Sequence, residues 1–557
     1  MEASPAKVIQ YFNGEKQNLI PLFQRPYSWK RANWQTLWDD MMVQYDLDDK
    51  STHFMGAIVS VPARSVPVGV SKFLIIDGQQ RLTTISLLLC ALRDTVDKNT
   101  ADRIHEVYLT NRFRDLEDTL KFVPTQADRD RYRAIVLDRQ VPNDNSLMAE
   151  AYGFFRRQLV NGIDNNGDQG VDPNKVLTTI EHALQVVMIN LGDEDDPYLI
   201  FESLNVKGQP LTQADLVRNY LLMRFRHSMS VGGEQERIYS QYWSPMETQL
   251  GDKLTEFLRH YAMKDGDNIY QGGIYAATKA RLKGMESPEL VEQEVQRMKE
   301  FAGIYARILA PTLESDLALR RRLENIKALE VTTSYPLLLR LLDARKVGSL
   351  ASDELELCLR LIESFMVRRA VCAVPTNALN KLFLQWTRNF PVNQHAVWLH
   401  ASMSSGSGGR RFPSDIEFSD AYKNQPQYGR SATRFILCRL EASFQHKEPV
   451  DLASTTIEHV LPQTLTEAWI AELGSDAKET HARLIGTIGN LTLTGYNAEL
   501  GNLSFADKKD KLKSTHIELN RWILDQVKWR EQEIGKRADL LLSKAKELWV
   551  GPEPIVP

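Results

Sequence analysis

The sequence predicts an α+β protein that is mainly helical, and three features lead there. Short apolar runs bounded by turn residues cluster near the N-terminus, the usual look of strands. Long stretches with apolar residues at helical spacing fill the middle. A second small β-rich group, around "IEHVL" and "GNLTLT", returns late and is set among helices. The length of 557 residues suggests about three or four domains.

In chain order, "FMGAIVSVP" (54–62) and "KFLIIDG" (72–78) are strand candidates. "QRLTTISLLLCALRDTV" (80–96) reads as a helix, because Leu82, Ile85, Leu88, Leu89 and Leu92 fall on one face. A strand therefore runs into a helix through Asp77-Gly78-Gln79. Residues 100–225 read as mainly helical, interrupted by the polar loop "NGIDNNGDQGVDPN" (161–174) and a strand candidate "ALQVVMINLG" (183–192). A helix restarts at "DDPYLIFESLN" (195–205), and Thr212 is a natural N-cap for "QADLVRNYLLMRF". From about 226 to 400 the pattern is amphipathic helices such as "DELELCLRLIESFMVRRAVC" (353–372), with no evident chemistry. "SMSSGSGGRRFPSD" (402–415) is the sharpest composition break and reads as a flexible link. The expected division is 1–225, 226–401, the link 402–415, and a module at 416–557.

Hydrophobic content of 43% and charged content of 25% are ordinary for a soluble globular chain. No run of about 18 apolar residues occurs, and the start lacks the basic and apolar blocks of a signal peptide. Four scattered cysteines form neither a zinc spacing nor a disulfide framework. A cytoplasmic protein with buried thiols and no membrane partner is expected. The net charge of −4 excludes a globally basic nucleic-acid binder. It leaves room for local basic surfaces, with clusters at Arg410-Arg411, "KKDKLK" (508–513), and Lys528, Arg530, Lys536 and Arg537. Such clusters are more often solvated faces than binding sites.

The late β-rich group carries polar residues at fixed places: Glu458, His459, Asn490 and Asn497. Phosphodiester hydrolysis with one metal ion needs few parts. It needs a base, for which imidazole titrates in the right range. It needs a hard cation, and Glu and Asn oxygens suit Mg²⁺ or Mn²⁺. It also needs a group that orients the imidazole. Neighbouring strand residues point to opposite faces, so Glu458 and His459 share a site only if a twist or bulge near the strand end allows it. Taken singly, Asn490 and Asn497 read more readily as turn residues.

Near the N-terminus, "IPLFQRPYSWKRANWQTLWDD" (20–40) is dense in aromatic residues. Trp34 and Trp38, one helical turn apart, read as core. Gln24, Arg25 and Tyr27 flank Pro26 in a loop, where polar residues often serve function. In "IIDGQQRLTT" (75–84), the backbone amides of Gly78 to Gln80 would lie at a helix start, a geometry suited to phosphate. Arg81 could add a charge-assisted bond. No GxxxxGK[ST] pattern exists in the chain, so any nucleotide chemistry would need another cradle.

Residues 455–509, through "IEHVLPQ", "IGNLTL" and "YNAELGNLSFADKK", resemble an HNH endonuclease of the His-Me finger (ββα-metal) superfamily. They are most similar to the variant at the C-terminus of GmrSD-type modification-dependent restriction enzymes. "FQRPYSW", "DGQQRLTT" and "FESLNVKGQPLTQADLVRNYLL" resemble the N-terminal ParB/sulfiredoxin-like domain of the same family. The resemblance spans 18–223 and about 416–520, in the family's own order.

That resemblance implies a ParB-like α/β domain, a helical middle and a His-Me finger nuclease embedded in helices. It implies His459 as general base, Glu458 and Asn497 as ligands of Mg²⁺ or Mn²⁺, and Asn490 as the residue orienting His459. Lys508 or Lys509 would contact phosphate. Glu458 stands where the family often has Asp or His. Asp77, Gly78, Gln79, Gln80 and Arg81 become candidates for binding a nucleoside triphosphate, GTP or ATP. Gln24, Arg25 and Tyr27 become candidates for sensing DNA or its modification, with Glu202, Asn205 and Asp215 in support. The implied activity is an NTP-regulated endonuclease or nickase that acts on modified DNA in bacterial defence against phage. Some relatives read glucosylated hydroxymethylcytosine and others work with phosphorothioate-modified DNA. Two other readings stay open: a DNA-binding or signalling module with a vestigial nuclease, and a toxin-like RNase. A homo-oligomer is also open.

Overall fold

The structure is a computed structural model that describes residues 2–21, 24–47, 52–62, 69–162, 171–192, 212–225, 233–444 and 450–553. The chain is mainly helical with a small amount of sheet. It divides into two compact units, each described by itself. One holds Met1–Glu247 and Ile274–Gln296; the other holds Thr248–Gly273 and Arg297–Pro557. No helix among the described residues is long and apolar enough to cross a membrane.

The first unit is built on a six-stranded mixed sheet in the order β1-β6-β3-β4-β2-β5. The strands are β1 (Glu2–Lys7), β2 (Lys16–Leu19), β3 (His53–Pro62), β4 (Ser71–Asp77), β5 (Phe122–Val123) and β6 (Leu184–Asn190). β3 runs antiparallel to β4 and parallel to β6. The expected strands at 54–62, 72–78 and 183–192 thus form the three neighbouring strands β3, β4 and β6. β1 and β2 have no apolar alternation and were not expected.

Helix α1 spans Arg31–Asp46 and helix α2 spans Gln79–Arg93. Leu82, Ile85, Leu88, Leu89 and Leu92 of α2 are fully buried, and α2 packs along α4 (Leu147–Asn161), which follows the short α3 (Gln126–Arg133). Trp34 and Trp38 of α1 lie against Phe154 and Phe155 of α4, with ring centroids 6.0 and 6.3 Å apart. They are core residues, as their spacing suggests. Thr212 caps α5 (Gln213–Met223), its hydroxyl accepting from the Asp215 N–H at 3.1 Å.

In the second unit, α6 (Ser352–Val371) shares an apolar core with the last helix of the chain. The four cysteines are free thiols; three are buried and Cys438 is half-buried. The late β-rich group is a two-stranded antiparallel ribbon of β7 (Thr456–His459) and β8 (Leu491–Thr494), in register Glu458 to Thr492 and His459 to Leu491. Around it stand α7 (Ala477–Leu484), α8 (Asn497–Leu500), α9 (Phe505–Leu512) and α10 (Glu531–Leu548).

Candidate active site

Glu458 and His459 end β7 and take different partners, as alternation along a strand requires. The Glu458 carboxylate meets the Lys508 ammonium from α9 at 2.5 Å, and both side chains are almost fully buried. The same ammonium donates to the His459 carbonyl at 2.7 Å. Lys508 therefore clamps the strand end from inside and presents no charge to solvent. Burial raises the Glu458 carboxyl above its usual value, against the pull of Lys508. Burial lowers the Lys508 ammonium, against the pull of Glu458. The other closing lysine, Lys509, is half-buried and donates to the Gln526 carbonyl.

The His459 imidazole is 7% exposed. Burial, with help from the Lys508 and His481 charges, pushes its pKa down to about 4. It is therefore neutral at ordinary pH, with a ring nitrogen free to accept a proton. Among the described residues none hydrogen-bonds this ring. Its aromatic neighbour is Tyr428, with ring centroids 4.2 Å apart and planes at 69°.

Asn490 does not reach the imidazole. Its Nδ2 donates to the Leu461 and Ile485 carbonyls at 2.9 and 3.0 Å. Its Oδ1 accepts from the Leu461 N–H at 2.7 Å and the Trp529 indole at 3.1 Å. It locks the backbone that leaves β7, two residues beyond His459. The Asn490 segment is itself pinned by Arg537, which is buried and donates to the Gly489 and Leu491 carbonyls at 2.8 and 2.7 Å. Gly489 is required there, because a Cβ would sit 2.3 Å from the Ile534 carbonyl oxygen. Arg537, one of the basic residues noted near the chain end, is thus internal scaffold.

Asn497 opens α8 and is exposed, its Nδ2 lying 3.4 Å from the Ile457 carbonyl on β7. Among the described residues none bonds its Oδ1. Among the described residues no group of three or more His, Cys, Asp or Glu could hold a metal. Of the two expected ligands, Asn497 is exposed, whereas the Glu458 carboxylate is buried and spent on Lys508. Carboxylate and amide oxygens suit Mg²⁺ or Mn²⁺, but Glu458 would have to give up Lys508 to join Asn497.

In the first unit the sequence motifs converge. The Gln24 side chain is 3% exposed and donates to the Ile75 and Ile76 carbonyls at 2.6 and 2.8 Å. The Tyr27 N–H donates to Asp128 at 2.6 Å, and the buried Tyr27 hydroxyl bonds Thr84 at 2.7 Å and accepts from the Trp34 indole at 2.8 Å. Gln80 accepts from the Ser28 N–H at 2.8 Å, and Gln79 donates to the Arg25 carbonyl at 3.3 Å. "FQRPYSW" is therefore stitched onto the start of α2. Gly78 caps that helix at φ 95°.

Arg81 donates to the Met55 and Ala57 carbonyls at 2.9 and 2.8 Å and lies 3.7 Å from Asp77. It fills the space over Gly56, where a Cβ would lie 2.6 Å from its guanidinium. Asp215 joins the Thr212 cap and pairs with Arg218 at 2.8 Å, and Arg218 also pairs with Glu247 at 2.8 Å. Arg25 is half-buried and attracted to Asp215. A cavity of about 170 Å³ opens beside this cluster, lined by Gln24, Pro26, Thr125, Gln126, Arg218 and Glu247 among others. Glu202 and Asn205 lie outside the described residues.

Sequence reasoning missed Tyr428, His481 and Trp529. Only the fold brings them here: Tyr428 against the His459 ring, Trp529 onto Asn490, and His481 onto the Pro462 carbonyl just after β7 through Nε2 at 2.8 Å.

Two family models match this chain, and both describe restriction endonucleases. Residues 8–222 match the GmrSD restriction endonuclease N-terminal domain, and residues 412–544 match the GmrSD restriction endonuclease C-terminal domain. The chain belongs to the GmrSD family of restriction endonucleases, as its motifs suggest. No curated protein matches it.

Proposed function

We propose that the chain is a modification-dependent DNA endonuclease that cuts or nicks through His459 and answers to a nucleoside triphosphate bound by its N-terminal unit. The observation that carries the cutting role is the neutral His459 imidazole at the end of β7, beside an Asn490-locked turn and the exposed Asn497. In this reading His459 accepts the proton of the attacking water. An approaching phosphodiester, being an anion, would raise the imidazole pKa towards the working range. Asn497 would hold the cation, with Glu458 joining it once its carboxylate leaves Lys508; when bound, the cation supplies charge stabilisation to the scissile phosphate. Asn490 acts on His459 through the backbone, and Lys508 holds the strand end so that the imidazole keeps its place.

For the N-terminal unit, the sensing reading rests on one cavity lined by Gln24 and Pro26 of "FQRPYSW" and by Arg218 of α5. The nucleotide reading rests on Gly78 at the start of α2. Arg81 and Tyr27 support that region from within.

The test uses purified protein, wild type and His459→Ala, on plasmids with and without modified bases or phosphorothioate links. Mg²⁺ or Mn²⁺ is present, with GTP, ATP or no nucleotide. Cleavage of modified plasmid by wild type alone, changed by nucleotide, is the expected result. Equal cutting by His459→Ala would remove the histidine from the chemistry. Preferential degradation of total RNA would favour a ribonuclease.

A further inference from the structure

We infer that Tyr428 is the residue that positions the His459 imidazole, the task that motif resemblance gives to Asn490. The inference rests on the nuclease reading of His459 for its consequence and on geometry for its substance. All of the Asn490 side-chain bonds go to Leu461, Ile485 and Trp529, so it has nothing left for the ring. No described side chain hydrogen-bonds the imidazole. An unbonded ring in a strand-end site would be free to rotate about its side-chain torsions unless something packs on it. Tyr428 does so at 4.2 Å and 69°, an edge-to-face contact.

The segment that carries Tyr428 is rigid. The Gln427 and Tyr428 N–H groups both donate to the Gly486 carbonyl, at 2.7 and 3.1 Å. The Gln427 side chain is buried and bonds the Ala421 carbonyl at 3.0 Å. Arg430 reaches the Ala370 carbonyl at 3.0 Å. A Cβ on Gly486 would press on Pro426 at 3.1 Å, so the two segments meet closely. Yet Tyr428 itself is 45% exposed. Core-building aromatic residues are buried; this one is held on a tied-down backbone and sets its ring against His459. Among the described residues its hydroxyl has no partner, so the ring and not the hydroxyl makes the contact.

The test compares Tyr428→Phe and Tyr428→Ala in the full chain. Cleavage of a modified plasmid gives kcat and KM. Histidine-selective ¹³C labelling gives the His459 ring resonance, assigned by its loss in His459→Ala. The Phe variant should keep kcat within about twofold, and the Ala variant should lose about 10- to 100-fold in kcat with KM little changed. The ring resonance should stay sharp in Phe and should move and broaden in Ala. An Ala variant that cuts like wild type overturns the inference. So does a Phe variant as damaged as Ala, or a ring resonance that Ala leaves unmoved. If wild type cuts nothing, the nuclease reading fails, and the resonance still decides whether Tyr428 orients the ring.

Discussion

Lys508 shows how one side chain can serve a site without facing the substrate. Its ammonium is 1% exposed and divides itself between the Glu458 carboxylate and the His459 carbonyl. Removing one member of a buried ion pair strands the other charge in a poor solvent, which costs about 3–5 kcal/mol. Lys508→Met should therefore destabilise the second unit by about that much, seen as a lower denaturant midpoint. Adding Glu458→Gln removes the stranded charge and should recover part of the loss. A single variant within about 0.5 kcal/mol of wild type would mean the pair does not form in solution. The Lys of a "KK" doublet reads on paper as surface charge. Only the packing of α9 on β7 turns the first lysine inward and leaves the second half-buried.

At the scale of secondary elements, the turn from β4 into α2 is tight. Gly78 sits at φ 95°, and a Cβ there would lie 2.8 Å from Ile58 Cγ1 and 3.3 Å from Ile58 Cα. A left-handed backbone alone costs a non-glycine residue about 1–2 kcal/mol; the collision with β3 adds to it. Gly78→Ala should lower the melting temperature of the first unit by several degrees. Gly535→Ala, in α10 with nothing within 4 Å of the added carbon, should slightly raise that of the second. Equal effects would mean the β3–α2 approach is looser than described.

This turn was legible because an apolar strand, Asp77-Gly78 and an apolar helix follow one another directly. β1 was not legible: it is an edge strand whose first four residues are exposed, so no burial pattern marks it. β2 hides for a different reason, since its buried Gln17 and Asn18 are satisfied by carbonyls of distant turns rather than by apolar packing. At the candidate active site, Glu458, His459, Asn490 and Asn497 could be picked out because they flank strands in fixed order. The contacts of Tyr428, His481 and Trp529 depend on long-range packing that local pattern does not carry. Nor does local pattern show that Gln24 and Tyr27, candidate sensing residues in a loop, are buried and brace that loop against β4 and α2.

Across the chain as a unit of folding, the composition break at 402–415 suggests a place to cut, and the contacts around it argue against cutting there. Arg368 of α6 is fully buried and donates to the Trp549 and Pro413 carbonyls at 2.9 and 3.2 Å. Arg369 donates to the Arg411 and Gly409 carbonyls at 2.9 and 3.0 Å. The Trp549 indole donates to Glu363 at 3.0 Å, and Ser364 donates to the Val550 carbonyl at 2.5 Å. Val367 and Val371 of α6 lie in one core with Phe418, Tyr422, Leu491, Leu493 and Trp549. The matched C-terminal domain therefore completes its core with a helix that precedes it in sequence. Each large apolar side chain uncovered by losing α6 forfeits about 1.5–3 kcal/mol, and a few of them equal the whole stability of a typical domain, about 5–15 kcal/mol. A fragment of residues 416–557 should consequently lack a cooperative melt by circular dichroism and bind a hydrophobic dye. A fragment of 248–557, which keeps both segments of the second unit, should melt cooperatively. If 416–557 alone melts as sharply and at the same temperature, α6 is an attachment to the nuclease module and not part of its core.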